Sequence, residues 1–132
     1  MDNANLDYAT LVVLLALIQY FWFAMRVAMT RGKYKVNAPA CEGNDVWERI
    51  NRVHQNTMEQ LILLIPTCYA FAYYLSEKWV LLPGAMFIIG RFLYAAEYEK
   101  DPKSRTPGMA LTLLAGVILL GGAVFGLIKG MI

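Results

Sequence analysis

Residues 46–66 read VWERINRVHQNTMEQLILLIP, and the fold turns on how this stretch is read. Its second half is apolar enough for lipid. Its first half packs Glu48, Arg49, Arg52, His54, Asn56 and Glu59 into three turns. A helix that carries so many polar groups at the mouth of an apolar run must give them something other than lipid to face.

The whole chain is built for an apolar solvent. Of its 132 residues 58% are hydrophobic and only 17% charged, and the mean hydropathy is +0.44, well above a soluble protein. Residues 1–132 read as a single domain. A formal net charge of +2, without a long basic run or an interleaved aromatic platform, argues against nucleic acid. Cys41 lies in a polar loop and Cys68 in an apolar run, so the pair reads as two free thiols. His54 is the one histidine, and no Cys or Asp stands at ligand spacing from it, so no metal site is expected. A Ser-His-Asp set, a glycine-rich phosphate loop and a Cys-x-x-Cys pair are all missing from the sequence.

Four apolar stretches organise the chain: Tyr8 to Met25, Leu61 to Leu75, Trp79 to Ala96, and Met109 to Ile128. A bilayer-spanning helix needs roughly 20 apolar residues, about 30 Å at 1.5 Å per residue. The first, third and fourth stretches meet this directly. The second meets it once extended back to about Val46 through the polar motif. The leader MDNANLD is acidic where a secretory signal would be basic, so the first stretch reads as a retained helix. The expected fold is therefore all-α, an integral membrane four-helix bundle running up-down-up-down. The short Ser76–Trp79 turn forces the second and third helices antiparallel. Gly122, Gly126 and Gly130, four residues apart, form a ridge for close helix packing. Pro107-Gly108 suits the start of the last helix, where a missing N–H costs little.

Basic residues set the orientation. The first loop region carries Arg26, Arg31, Lys33, Lys35, Arg49 and Arg52, and the third carries Lys100, Lys103 and Arg105. The opposite side has Lys78 and Lys129. The positive-inside rule puts both long loops in the cytoplasm and both termini on the opposite side.

At 100° per residue Arg49, Arg52, Asn56 and Glu59 fall in one stripe of the second helix, and Arg91, Tyr94 and Tyr98 form another on the third. Glu59 is about 24 Å from Leu75, and Tyr94 about 22 Å from Trp79, by helix rise. The two stripes thus lie at equal depth. Facing lipid they would cost several kcal/mol. Two readings fit: ion pairs and tyrosine anchors that hold helices together, or one site between the two stripes. Glu97 and Glu99 read as solvated charges at a helix end.

At these residues the chain resembles a known family. ERINRVHQNTME, residues 48–59, is similar to the second-helix signature of the MAPEG proteins, membrane-associated proteins in eicosanoid and glutathione metabolism. GRFLYAAEYEKDPKSRTPG, residues 90–108, is similar to the family's third-helix motif of arginine, spaced tyrosines and basic loop. Two motifs in the right order, with the four-span layout, cover nearly the whole chain. The family's proline stands about one turn after the motif glutamate, whereas here Pro66 comes later, and Gln60 replaces a tyrosine found in some relatives.

The resemblance implies a homotrimer with glutathione as co-substrate and three sites between subunits. Arg52, Asn56 and Glu59 would hold the peptide, with Tyr94 and Tyr98 lining the same pocket. Arg105 would activate the sulfur, with Tyr94 as the other candidate for that role. Arg31 and His54 match positions that reach across from a neighbouring subunit. The implied activity is that of a glutathione transferase or peroxidase acting on lipophilic electrophiles or lipid hydroperoxides. A non-catalytic, lipid-binding scaffold of the same family is the alternative. The loop charges yield a first test. Reporter groups placed near Cys41 or near Lys103 should be reached by membrane-impermeant label only from the cytoplasmic side. Labelling of either loop on intact cells would reverse the orientation.

Overall fold

A computed structural model describes residues 5–101, 103 and 106–132. Four helices account for nearly all of them: α1 (Asp7–Tyr34), α2 (Asp45–Tyr74), α3 (Leu81–Lys100) and α4 (Thr106–Met131). No strand occurs among the described residues. The quoted stretch is one uninterrupted piece of α2, whose 30 residues span about 45 Å at 1.5 Å per residue.

Local chemistry sets the helix ends. Asn44 caps α2, its side chain accepting from the Trp47 N–H at 3.0 Å, and Asp45 and Glu48 meet the positive end of the helix dipole. α1 stops where Lys35 turns left-handed (φ 60°), with Arg31 and Lys33 in the last turn. Pro66 lies inside α2 without ending it. Beside it the Thr67 hydroxyl donates back to the Leu63 carbonyl at 2.6 Å, which satisfies that hydroxyl within the helix. The turn before α3 is tied by the Trp79 N–H to Ser76 Oγ at 3.2 Å. α3 itself begins at Leu81, two residues later than its apolar run.

Side-chain contacts fix the directions. Thr10 meets Tyr69 and Trp47 Nε1 donates to the Val27 carbonyl, so α1 and α2 are antiparallel. Gln19 donates to Ile88 O and Arg26 meets Glu99, so α1 and α3 are parallel. α4 lies Gly108 against Tyr94, Gly116 beside Leu63 and Gly122 against Phe71, antiparallel to α3 and parallel to α2. The bundle runs up-down-up-down. One apolar core gathers Val12, Ala16, Leu64, Cys68, Phe71, Phe87, Ala115 and Leu119. A smaller one, at the end where residues 35–44 join α1 to α2, gathers Phe23, Val53, Tyr94, Ala95 and Tyr98.

The outside of the bundle is greasy. Ile62, Val117, Phe21, Trp22 and Phe125 are all exposed, the inverse of a water-soluble surface. α1 and α4 are long and apolar enough by themselves to cross a membrane. α2 and α3 are not set apart in that way by composition, because they carry the polar stripes. Glu99 corrects the expectation of a solvated charge. It is partly buried and takes a forked pair of bonds from Arg26, at 2.7 and 2.5 Å, which clamps α1 to the end of α3.

Glycine governs how closely α3 and α4 cross. A Cβ on Gly108 would overlap the Tyr94 backbone, and one on Gly90 would meet the Thr112 side chain at 2.8 Å and Gly108 O at 3.1 Å. Of the expected ridge, Gly122 is covered by Phe71 and Gly126 by the Tyr74 carbonyl, whereas Gly130 has nothing within 4 Å. Gly108→Ala should therefore force α4 away from Tyr94 and cost about 1–3 kcal/mol, in the range of overpacking. Gly130→Ala should stay within about 0.5 kcal/mol. Unfolding in detergent, followed by thermal melt, checks both, and equal melts would show that the crossing is not tight.

Candidate functional site

The two stripes face each other. On α2, Arg52, Gln55, Asn56 and Glu59 line an open cleft of about 380 Å³, which Tyr94 of α3 and Met109 of α4 complete. That volume lies within the roughly 300–1,000 Å³ usual for small-molecule sites. A second hollow of about 370 Å³, lined by Asp45, Glu48, Arg49, Arg52 and Tyr98, shares Arg52 with the first. Arg52 also borders a third, of about 220 Å³, beside Cys41, Glu42 and Asn51.

The floor and the rim differ in kind. Arg91 is fully buried, and Tyr94 and Tyr98 are nearly so. Arg91 Nη1 donates to Asn56 Oδ1 at 2.6 Å, and its guanidinium lies 4.5 Å over the Tyr94 ring. Tyr94 and Tyr98 stack with centroids 5.2 Å apart, as expected of side chains i and i+4 on one face. By contrast Arg52 and Glu59 are exposed, and neither makes a side-chain hydrogen bond or ion pair among the described residues. The rim thus offers one cation and one anion, both uncommitted, above a floor that is already bonded.

Arg49 belongs to the framework. Its Nε donates to Asp45 O at 3.3 Å and its Nη1 to Lys100 O at 3.4 Å, tying the start of α2 to the end of α3. Arg31 closes the loop between α1 and α2, donating to Ala40 O at 2.8 Å and lying 4.5 Å over the Trp47 ring. His54 stacks on Tyr20 of α1, centroids 4.8 Å apart. Neither Arg31 nor His54 lines the cleft of its own chain. Arg105 lies outside the described residues. The structure therefore brings Arg52, Asn56, Glu59 and Tyr94 into one cleft and sets Tyr98 beside it. Among the described residues no cluster of three or more His, Cys, Asp or Glu could hold a metal ion.

Sequence reasoning missed two residues of the cleft wall and the partner of Arg91. Gln55 shares the cleft wall because the face that opens is wider than one stripe: positions 52, 55, 56 and 59 follow i, i+3, i+4 and i+7. That wider pattern was there to be found. Arg91 stood in its stripe but without a partner, and its bond to Asn56 joins residues 35 positions apart. Met109 is an ordinary apolar residue at the start of α4, and nothing in its spacing marks it.

The chemistry of such a cleft is specific. A guanidinium suits a carboxylate through forked hydrogen bonds, a free carboxylate suits an ammonium, and a carboxamide and phenols can serve peptide groups. Such a lining suits an occupant with charges of both signs. The sequence matches the MAPEG family over residues 9–125. It is 36% identical to a human (Homo sapiens) protein named microsomal glutathione S-transferase 2, over 83% of this chain and 76% of the relative. It is 35% identical to an uncharacterized protein of Synechocystis, over 97% of this chain and 93% of the relative. With the Bos taurus protein named leukotriene C4 synthase it shares 24% identity over 89% of this chain and 78% of that one.

Proposed function

The chain belongs to the MAPEG family, and on that footing we propose that it is a membrane-embedded glutathione transferase, with glutathione peroxidase chemistry open to the same site. The observation that carries this reading is the meeting of Arg52, Asn56, Glu59 and Tyr94 in one cleft. Glutathione is a tripeptide with two carboxylates, an ammonium and a thiol. Arg52 takes a carboxylate, Glu59 takes the ammonium, and Asn56, Tyr94 and Tyr98 serve the peptide between them. The cleft opens toward the cytoplasm, where the tripeptide is dissolved. The lipophilic electrophile or lipid hydroperoxide arrives from the bilayer, along the greasy outer faces of the helices.

The reacting species is the thiolate. A free thiol titrates near 8.5, so little of it is ionised at neutral pH. Arg105 is assigned to the sulfur, because a guanidinium stays charged and favours the anion; one unit of thiol pKa corresponds to about 1.4 kcal/mol. In conjugation the thiolate attacks the electrophilic carbon and displaces its leaving group. In the peroxidase reaction the thiolate attacks the terminal hydroperoxide oxygen and breaks the O–O bond, giving a sulfenic acid and, after protonation, the alcohol; the thiol of a second glutathione then displaces water from the sulfenic sulfur to form the disulfide. Arg31 and His54, which sit away from the cleft of their own chain, are assigned to a neighbouring site in a homotrimer.

Binding and chemistry separate in the test. Calorimetry on the purified protein should register glutathione, and Arg52→Ala should weaken it by about thirtyfold or more, the loss of one partner of a charged hydrogen bond. Arg105→Ala should leave affinity nearly intact. The thiolate absorbs in the ultraviolet where the thiol does not, so a pH titration of the complex reads it directly. Arg105→Ala should move the bound thiol's pKa up toward about 8.5, with turnover of an aryl halide falling alongside. Loss of the thiolate signal in Tyr94→Phe but not in Arg105→Ala would transfer the activating role to the tyrosine. No thiolate in the unmodified protein would favour the lipid-binding scaffold. Assembly is tested by mass in mild detergent and by mixing Arg31→Ala with Glu59→Gln chains. A trimer in which mixed subunits recover activity supports the shared site, and a monomer with full glutathione affinity excludes it.

A further inference from the structure

Arg91 has a cost that helix packing does not explain. Its side chain has 0% exposure, and its Nε and Nη2 find no hydrogen-bond partner among the described residues. A buried charge without full pairing is held against several kcal/mol. An apolar residue would join α2 to α3 without that penalty. Arg91 touches two residues of the cleft, Asn56 through a 2.6 Å bond and Tyr94 through the face of its ring, and beside them the buried Thr57, whose Oγ1 lies 3.5 Å from the same Nη1.

The direction of the Asn56 bond is settled by chemistry. A guanidinium has only donors, so the atom it meets must be the carboxamide oxygen. The carboxamide is planar, with its nitrogen on the opposite side from that oxygen. Asn56 also lines the cleft. We infer that Arg91 is a positioning residue: by holding the oxygen of Asn56 it fixes the carboxamide with its NH₂ turned to the cleft, as a donor for a carboxylate or carbonyl of the tripeptide. Left alone, a carboxamide presents either end at similar cost, and half its orientations would set oxygen against the ligand's oxygen. The charge of Arg91 makes the holding bond a strong one. This role rests on the glutathione reading of the cleft.

Two sets of variants test it, with calorimetric affinity for glutathione as the readout and thermal unfolding as the check on fold. Asn56→Asp keeps an acceptor for Arg91 and supplies a full countercharge, but it has no donor for the ligand. It should melt at or above the temperature of the unmodified protein and yet bind glutathione at least tenfold more weakly. A residue needed only to satisfy Arg91 would be replaced by aspartate without loss of affinity, and that outcome overturns the inference. In the second set, Arg91→Met and Asn56→Ala are made singly and together. Each alone should weaken binding by about tenfold, and the double variant should be no weaker than Asn56→Ala, because Arg91 acts through Asn56. Multiplying losses, about a hundredfold together, would mean that Arg91 acts independently. Arg91→Lys, which keeps a charged donor, should recover part of the affinity that Arg91→Met loses. If Arg91→Met does not fold, Asn56→Asp decides alone. Absence of binding to the unmodified protein is a different result, and it removes the glutathione reading together with this inference.

Discussion

A guanidinium cannot be left in hydrocarbon, and the bundle is arranged around that constraint at Arg91. Charge at the centre of a bilayer costs at least about 2.5–3.5 kcal/mol. A single misfaced apolar side chain in a membrane costs far less, because lipid is as apolar as leucine. The polar groups therefore set the rotation of α2 about its axis, more firmly than the apolar ones do. Asn56 must turn toward Arg91. With it go Arg52 and Glu59, one turn to either side, to the mouth of the cleft. Met58 and Ile62 are left on the outside.

The cleft stays open because its wall is held from behind. Arg26 forks onto Glu99, and Arg49 reaches the Lys100 carbonyl, so the last turn of α3 is tied to both α1 and α2. Gly108 lets α4 come down onto the Tyr94 backbone, which brings Met109 to the cleft edge. Four helices thus converge on two stacked tyrosines. Groups fixed in advance lose little freedom when a ligand arrives. The charged rim, Arg52 and Glu59, remains free to adjust.

The four-helix architecture was legible because hydropathy along one chain records which segments can sit in lipid. The stripes were legible because a helix repeats every 3.6 residues. What each stripe faces is a property of two segments, and periodicity speaks of only one. Glu99 read as solvated for this reason: its partner Arg26 lies 73 positions away. The bonds of Arg31 to the carbonyls of its own loop are likewise encoded in no side-chain pattern. The late start of α3, at Leu81 rather than Trp79, follows from the turn that Ser76 ties. Hydropathy does not see that bond.

The division between floor and surface bears on what the protein can bring together. Apart from Met109, every side chain lining the main cleft has a polar group, so the cleft by itself offers little to a lipid tail. The outer faces of the helices are greasy: Ile62, Phe92, Leu113 and Val117 stand exposed. A binder of lipid alone has no use for an uncommitted arginine and glutamate on one rim, since each forfeits some hydration and gains no partner. A binder of a peptide alone has no use for a membrane. The two surfaces meet where α2 and α4 flank the cleft at Met109. On the proposed reading, a charged tripeptide held there by its ends would place its thiol beside the apolar phase, and the chain would have to supply little more than that meeting and a cation for the sulfur.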